Sequence, residues 1–336
     1  MSKLSIWFEE LRLPFMTASV PPAILGGFIA WEMTGQVDAF LLTLTTIAAF
    51  FMHAGTNVVN DYFDHVSGCD EINVRFVRPF GGGSRLIQKG LLSPKEVYYG
   101  ALSFFAIAVL IGLFLAYLRG WPLLVIGLIG LICGYFYVDP HLNLAGRGIG
   151  EFLVGLNFGT LIVLGSFFVQ TGAFALEPIV ASIPLAMLIA AVLWINEFQD
   201  SEADGAVGKK HLVFRLGRRR ATTVYFYLLV LAYASIFCGV IFGFLPFASM
   251  MAFITAPIAA KSVRVATRHY DDTLPLVPAN AGTIMLHFVF GIVLVLTYVA
   301  EASNFGLLSI VSLILVLFLT VSFVSKKPQP PVAHPT

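Results

Sequence analysis

The feature that most constrains this chain is its succession of apolar runs, each close to the length that crosses a bilayer. A spanning helix needs about 20 predominantly apolar residues. Reading along the chain gives ten candidates: 13–33, 39–59, 99–118, 121–138, 150–169, 178–196, 223–244, 247–262, 281–300 and 305–325. In hydrocarbon every backbone N–H and C=O must be satisfied within the segment, so the expected fold is an all-α bundle. Composition agrees: 58% of the residues are hydrophobic and 12% charged, about half the charge of a typical soluble domain. The net charge of +1 gives no electrostatic footprint for nucleic acid. Cys69, Cys133 and Cys238 lie far apart with no CxxC, so they suggest neither a zinc site nor a disulfide framework.

Residues 1–325 read as one transmembrane domain, with a disordered tail, 326–336, that begins at Lys326 and is rich in proline. The first apolar run follows Glu9 and Glu10 and is longer than the core of a cleavable signal. Residues 2–12, with Trp7, Phe8, Leu11 and several charges, read as an interfacial segment. Pro21 and Pro22 are expected to kink the first span. Placing the N-terminus inside and alternating sides puts 19 of the 20 Lys and Arg residues on the cytoplasmic face, with Arg119 alone outside. This partition matches the positive-inside rule and predicts a multi-pass protein of the cell (inner) membrane with both termini cytoplasmic.

Two long polar loops fall on that cytoplasmic face, about 60–98 and 196–222. The first opens NDYFDHVSGCD and contains Asn60, Asp61, Asp64 and Asp70, then Arg75, Arg78, Arg85 at the end of GGGSR, and Lys89. The second opens NEFQDSEAD and contains Asn196, Glu197, Asp200, Glu202 and Asp204, then Lys209, Lys210 and Arg215. Each begins with Asn, places Asp four residues later and then turns basic. Residues four apart share one face of a helix, so Asn196, Asp200 and Asp204 form a ladder if the sixth span continues beyond the membrane. Carboxylates this close repel unless a cation sits between them. Hard oxygen ligands suit Mg²⁺, which commonly bridges one or two carboxylates to substrate phosphates. The basic residues Arg78, Arg85, Lys89, Lys209, Lys210 and Arg215 are then candidate partners for the charge that remains on a diphosphate. The bland alternative is that both loops are solvated faces of mixed charge. Repetition of the pattern four spans later, on the same side, favours a site.

With these motifs, the sequence resembles the UbiA superfamily of membrane prenyltransferases over roughly residues 10–300. The resemblance implies a ring of nine helices around a central cavity, to which 305–325 would add a peripheral tenth. It implies Mg²⁺ and a polyprenyl diphosphate held by the two loops, with Asn60, Asp64 and Asp70 serving one ion, Asn196, Asp200 and Asp204 the other, and Asp61 as a further ligand or a support for Asp64. Gly68 followed by Asp70, and the run QKGLLSPKEV at Gln88–Val97, are similar to the branch that prenylates 1,4-dihydroxy-2-naphthoate in menaquinone synthesis. Gln199 and His211 depart from that branch, where Arg and Thr are frequent.

Aromatic faces can stabilise an allylic cation, and Tyr62, Phe63, Tyr135, Phe136, Tyr137 and Phe158 are near the expected cavity mouth; packing or interfacial anchoring is the default for each. The 139–151 loop, with Asp139, Asn143, Arg147 and Glu151, reads as a turn, Gly148 and Gly150 as helix-packing positions, and His53 as a core histidine. Rival readings are prenyl transfer to another aromatic or lipid acceptor, a CDP-alcohol transferase, whose acids would lie in one continuous motif, and a divalent-cation transporter, which would place acids at mid-membrane.

Overall fold

Apolar sequence becomes a bundle here because each long helix has one face to bury and caps to end it. The computed structural model describes residues 2–303. The tenth candidate span, 305–325, and the tail, 326–336, lie outside the described residues. The helices in chain order are α1 (Lys3–Glu10), α2 (Leu13–Met16), α3 (Val20–Thr34), α4 (Ala39–Val66), α5 (Cys69–Ile72), α6 (Pro94–Arg119), α7 (Pro122–Tyr135), α8 (Gly150–Val154), α9 (Ile162–Thr171), α10 (Leu176–Ala206), α11 (Leu212–Leu216), α12 (Arg218–Ile241), α13 (Ala256–His269) and α14 (Thr273–Ser303). A π-helical turn, Gly155–Leu161, joins α8 to α9, so the three pieces form one rod. Among the described residues, seven helical segments are long and apolar enough to cross a membrane, and α7 is a shorter apolar one.

Local chemistry sets the ends. Asp38 caps α4, its side chain accepting from Leu41 N at 3.0 Å. Ser93 and Glu96 form a reciprocal capping box at the start of α6. Pro21 and Pro22 occupy the first turn of α3, where a missing N–H costs nothing. They therefore open the helix instead of kinking it, and the break in the first span lies before them. The eighth candidate span also differs from expectation. Residues Phe247–Thr255 form a 3-10 segment and the α-helix begins only at Ala256, because Pro257 falls in its first turn.

Packing falls into two bodies. One apolar core joins α3, α9, α10, α12, α13 and α14 around Leu25, Leu185, Tyr225 and Phe290. The other joins α1, α4, α6 and α7 around Val58, Leu86, Val97 and Phe105. α1 belongs to the second body: Trp7 packs edge-on to Phe104 and against Gly100. α4 from one body and α10 from the other extend past their apolar stretches at the same end of the bundle. Their polar ends face each other across the seam.

Candidate functional site

The seam is a cavity of about 360 Å³. One end is polar and lined by Asn60, Asp64, Asp70, Asn196, Asp200 and Asp204. The rest is walled by apolar and small side chains, among them Thr45, Ala49, Gly127, Gly130, Leu115 and Val169. Thr45 and Asp64 both line it from α4, and at 1.5 Å per residue they lie roughly 28 Å apart along the axis. The cavity is thus a long apolar tunnel with an acidic mouth.

The expected helical ladder is present. α10 runs unbroken to Ala206, which sets Asn196, Asp200 and Asp204 on successive turns of one face. Lys209 links the two motifs. Its ammonium hydrogen-bonds Asp64 and lies 3.3 Å from Asp204 Oδ1. Burial opposes its charge, but Asp204 and Asp64 outweigh burial and hold it well above the usual lysine value. Asn73 Nδ2 donates to Asp200 Oδ1 at 2.7 Å, and Cys69 Sγ donates to Asp204 Oδ1 at 3.1 Å. Burial, followed by the charges of Asp64 and Asp61, pushes the Asp70 carboxyl up to about 8.

The oxygen set fits a hard cation. Asn60 Oδ1 is buried and meets no donor among the described residues, although a buried polar atom ordinarily has a partner. Clustered carboxylates and an unspent amide oxygen are the ligands Mg²⁺ takes, and Lys209 supplies positive charge between two of those carboxylates.

The glycine run GGGSR has a role that the sequence reading missed. Its backbone threads between the two motifs. A Cβ on Gly81 would stand 2.8 Å from Asp200 Oδ1, and one on Gly83, whose φ is +68°, 2.8 Å from Asp61 Oδ1. Only residues without side chains let the loop lie this close to both acids.

Asp61 is not among the lining residues of the cavity. It accepts from Arg12 Nη2 at 3.0 Å and from Ser84 N at 2.8 Å, partners that already use both its oxygens. Of the six basic residues named above, Lys209 lines the cavity, and the other five are not among its lining residues. Arg78 pairs with Glu9, and Lys89 lies 3.9 Å from the same carboxylate. Arg85 is buried beside the first motif: its Nε lies 3.9 Å from Asp70 Oδ1, while its guanidinium stacks 4.0 Å over Phe76 and donates to the carbonyls of Asp70 and Asn73. Lys210 is exposed, and Arg215 donates to the Lys210 and Gly146 carbonyls.

Of the aromatic candidates, Tyr137 and Phe158 line the cavity. Tyr62, Phe63 and Tyr135 pack in the second core instead, and Phe136 packs edge-on to Tyr135. His53 also reaches the cavity, 4.5 Å from the Phe158 ring centroid. Its Nδ1 lies 3.2 Å from Ser19 Oγ.

Arg12, Glu197 and His211 are lining residues not chosen from sequence. Arg12 carried no local signal, because its partner Asp61 is 49 residues away. The 139–151 loop is more than a turn: Glu151 Oε1 accepts from Leu212 N at 2.7 Å, which fastens it to the second motif. Gly150 packs against Ala145 of that loop and Tyr137 just before it, whereas Gly148 packs against Leu212 and Arg215 of α11.

A family model for UbiA prenyltransferases matches residues 19–276. The chain is similar to the 1,4-dihydroxy-2-naphthoate octaprenyltransferase of Bacillus subtilis (strain 168), at 29% identity over 86% of this chain and 90% of that one. It is similar to the 2-carboxy-1,4-naphthoquinone phytyltransferase of Synechocystis sp., at 26% identity over 87% of this chain and 92% of that one. The fold is similar to that of a UbiA homolog from Archaeoglobus fulgidus bound to GPP and Mg²⁺. That match has a TM-score of 0.58 and 16% identity, and covers 86% of this chain and 99% of that one.

Proposed function

The chain belongs to the UbiA prenyltransferase family, and we propose that it transfers a polyprenyl group from its diphosphate to 1,4-dihydroxy-2-naphthoate, with Mg²⁺ as cofactor. The observation that carries this reading is the joining of an acidic mouth to a long apolar tunnel. One end suits a metal diphosphate and the other an isoprenoid chain. The naphthoate acceptor is supported by the names of the relatives in Bacillus and Synechocystis.

The roles follow from placement. Asn60, Asp64, Asp70, Asn196, Asp200 and Asp204 would hold Mg²⁺, which when bound supplies Lewis-acid stabilisation to the departing diphosphate. Lys209, poised between Asp64 and Asp204, is placed to meet the diphosphate as its negative charge grows. Stabilising that charge lowers the barrier to breaking the allylic C–O bond. The apolar wall orients the chain and excludes water from the allylic carbon. Phe158 and Tyr137 offer ring faces and a hydroxyl beside the reacting end. Asp61, held by Arg12 and Ser84, fixes the first motif's helix to the glycine loop.

We place both polar loops and both termini in the cytoplasm of an inner-membrane protein, on the charge partition of the sequence. We count nine spans among the described residues, taking α7 and the α13 segment with the seven long ones; the tenth candidate, 305–325, lies outside them. A cation transporter is not supported, because the carboxylates of the site cluster at one end of the bundle and the family match is to transferases.

The test is incubation of purified protein with Mg²⁺, labelled prenyl diphosphates and a panel of acceptors, read by mass spectrometry. Prenylated naphthoate is the expected product. Turnover of 4-hydroxybenzoate with none of the naphthoate would overturn the acceptor assignment.

A further inference from the structure

Behind the acidic mouth lies a second group of ionisable side chains. Glu151 on α8, Glu197 on α10 and His211 before α11 bring one ligand atom each within 4.8 Å of one another. All three are more than nine-tenths buried, at 4%, 6% and 2% exposure. Glu151 Oε2 and Glu197 Oε2 meet no donor among the described residues. Two carboxylate oxygens left without donors in the protein interior are costly unless something positive lies between them.

His211 Nδ1 carries the lone pair: it caps α11 by accepting from Phe214 N at 3.2 Å, and a cation bound at Nδ1 would take the place of that hydrogen bond. Nε2 points at Asp204 Oδ2, 3.4 Å away, and Nδ1 lies 3.5 Å from Glu197 Oε2. A ligating histidine typically donates its other N–H to a carboxylate, which fixes the ring; Nε2 meets no hydrogen-bond partner among the described residues, and Asp204 is the carboxylate beside it. Two ligands of one tetrahedral ion at about 2.1 Å each stand roughly 3.4 Å apart. Glu151 is oriented in turn by Leu212 N on its other oxygen.

We propose that Glu151, Glu197 and His211 form a cation site separate from the Asp cluster, taking a first-row transition ion such as Zn²⁺ and coupled to that cluster through His211 and Asp204. An imidazole ligand favours Zn²⁺ over Mg²⁺, which prefers an all-oxygen shell. The site pins the segment after α10 to α8, and so sets the position of Lys209, two residues before His211. Glu197 and His211 are brought together from 14 positions apart in sequence and Glu151 from 46 before Glu197, a spacing that fits no short metal-binding pattern.

The test uses the full chain in detergent, stripped with chelator and returned to saturating Mg²⁺. Zn²⁺ is titrated against a chromophoric chelator. One Zn²⁺ per chain should bind with Mg²⁺ present. Glu197→Gln and His211→Thr should each weaken it by at least about tenfold, while Asp200→Asn, in the Asp cluster, should leave it unchanged. X-ray absorption of the Zn²⁺-loaded wild type should show one imidazole with oxygen ligands, which needs no variant to fold. Failure to bind Zn²⁺ under Mg²⁺, equal loss in Asp200→Asn, or a spectrum without imidazole would each overturn the proposal.

Discussion

Lys209, just beyond α10, hydrogen-bonds the carboxylate of Asp64 on α4, 145 residues earlier in the chain. The contact closes the seam between the two bodies of the bundle, and it puts a positive charge where the motifs converge. Removing one partner of a buried ion pair costs about 3–5 kcal/mol, since the other charge is left uncompensated. Lys209→Met should therefore melt well below the wild type in chelator. Added Mg²⁺ should raise its melting temperature more than that of the wild type. Thermal melts with and without Mg²⁺ check this; equal metal responses would mean that Lys209 does not share the cation's place.

Glu10 gives a pH prediction. It is fully buried at the end of α1 and accepts from Ser84 Oγ at 2.6 Å. Burial and then the Asp61 charge push its carboxyl from 4.5 up to about 8. A group whose folded value is raised binds its proton more tightly in the folded state. Its contribution to stability is complete below pH 4.5 and is lost as pH rises towards 8. Glu10→Gln should thus flatten the fall in melting temperature across that range. Parallel pH profiles for variant and wild type would contradict the assignment.

The tunnel predicts control of chain length. Gly127 lines it, and a Cβ there would meet nothing within 4 Å. Gly127→Phe should fill space without displacing the backbone, and shift products to shorter prenyl chains while leaving turnover of the shortest diphosphates within about twofold, because that end is remote from the charge being stabilised. Product lengths by mass spectrometry decide it; an unchanged distribution would mean that the chain lies elsewhere.

Helical periodicity made part of this site legible in the sequence. Asn196, Asp200 and Asp204 fall on one face because four residues make nearly one turn, and the apolar runs located the long helices. Contacts between distant segments were not legible. Whether Arg78 is available depends on Glu9 in α1, and whether Arg85 is depends on carbonyls at Asp70 and Asn73. A residue's charge is visible in the sequence, but its partner is not. Pro21 and Pro22 show a local version of the problem: proline is compatible with both a kink and a first turn, and the chain before it decides. The apolar composition of 247–262 concealed a change from 3-10 to α geometry at Pro257.

The central claim is that the ends of α4 and α10 act together on one diphosphate. Its most direct measurement is the activity of Asp64→Asn, Asp200→Asn and their combination at saturating Mg²⁺, beside Asp271→Asn, an exposed acid between α13 and α14. Each motif variant loses one charge with little change of shape. Stabilisation of this kind is worth about 3 kcal/mol, or roughly a hundredfold in rate. Each single variant should lose at least that factor and Asp271→Asn should not. The double variant should lose less than the product of the two, because groups that act as a unit are not additive. Near-normal turnover in Asp64→Asn or Asp200→Asn would contradict the account.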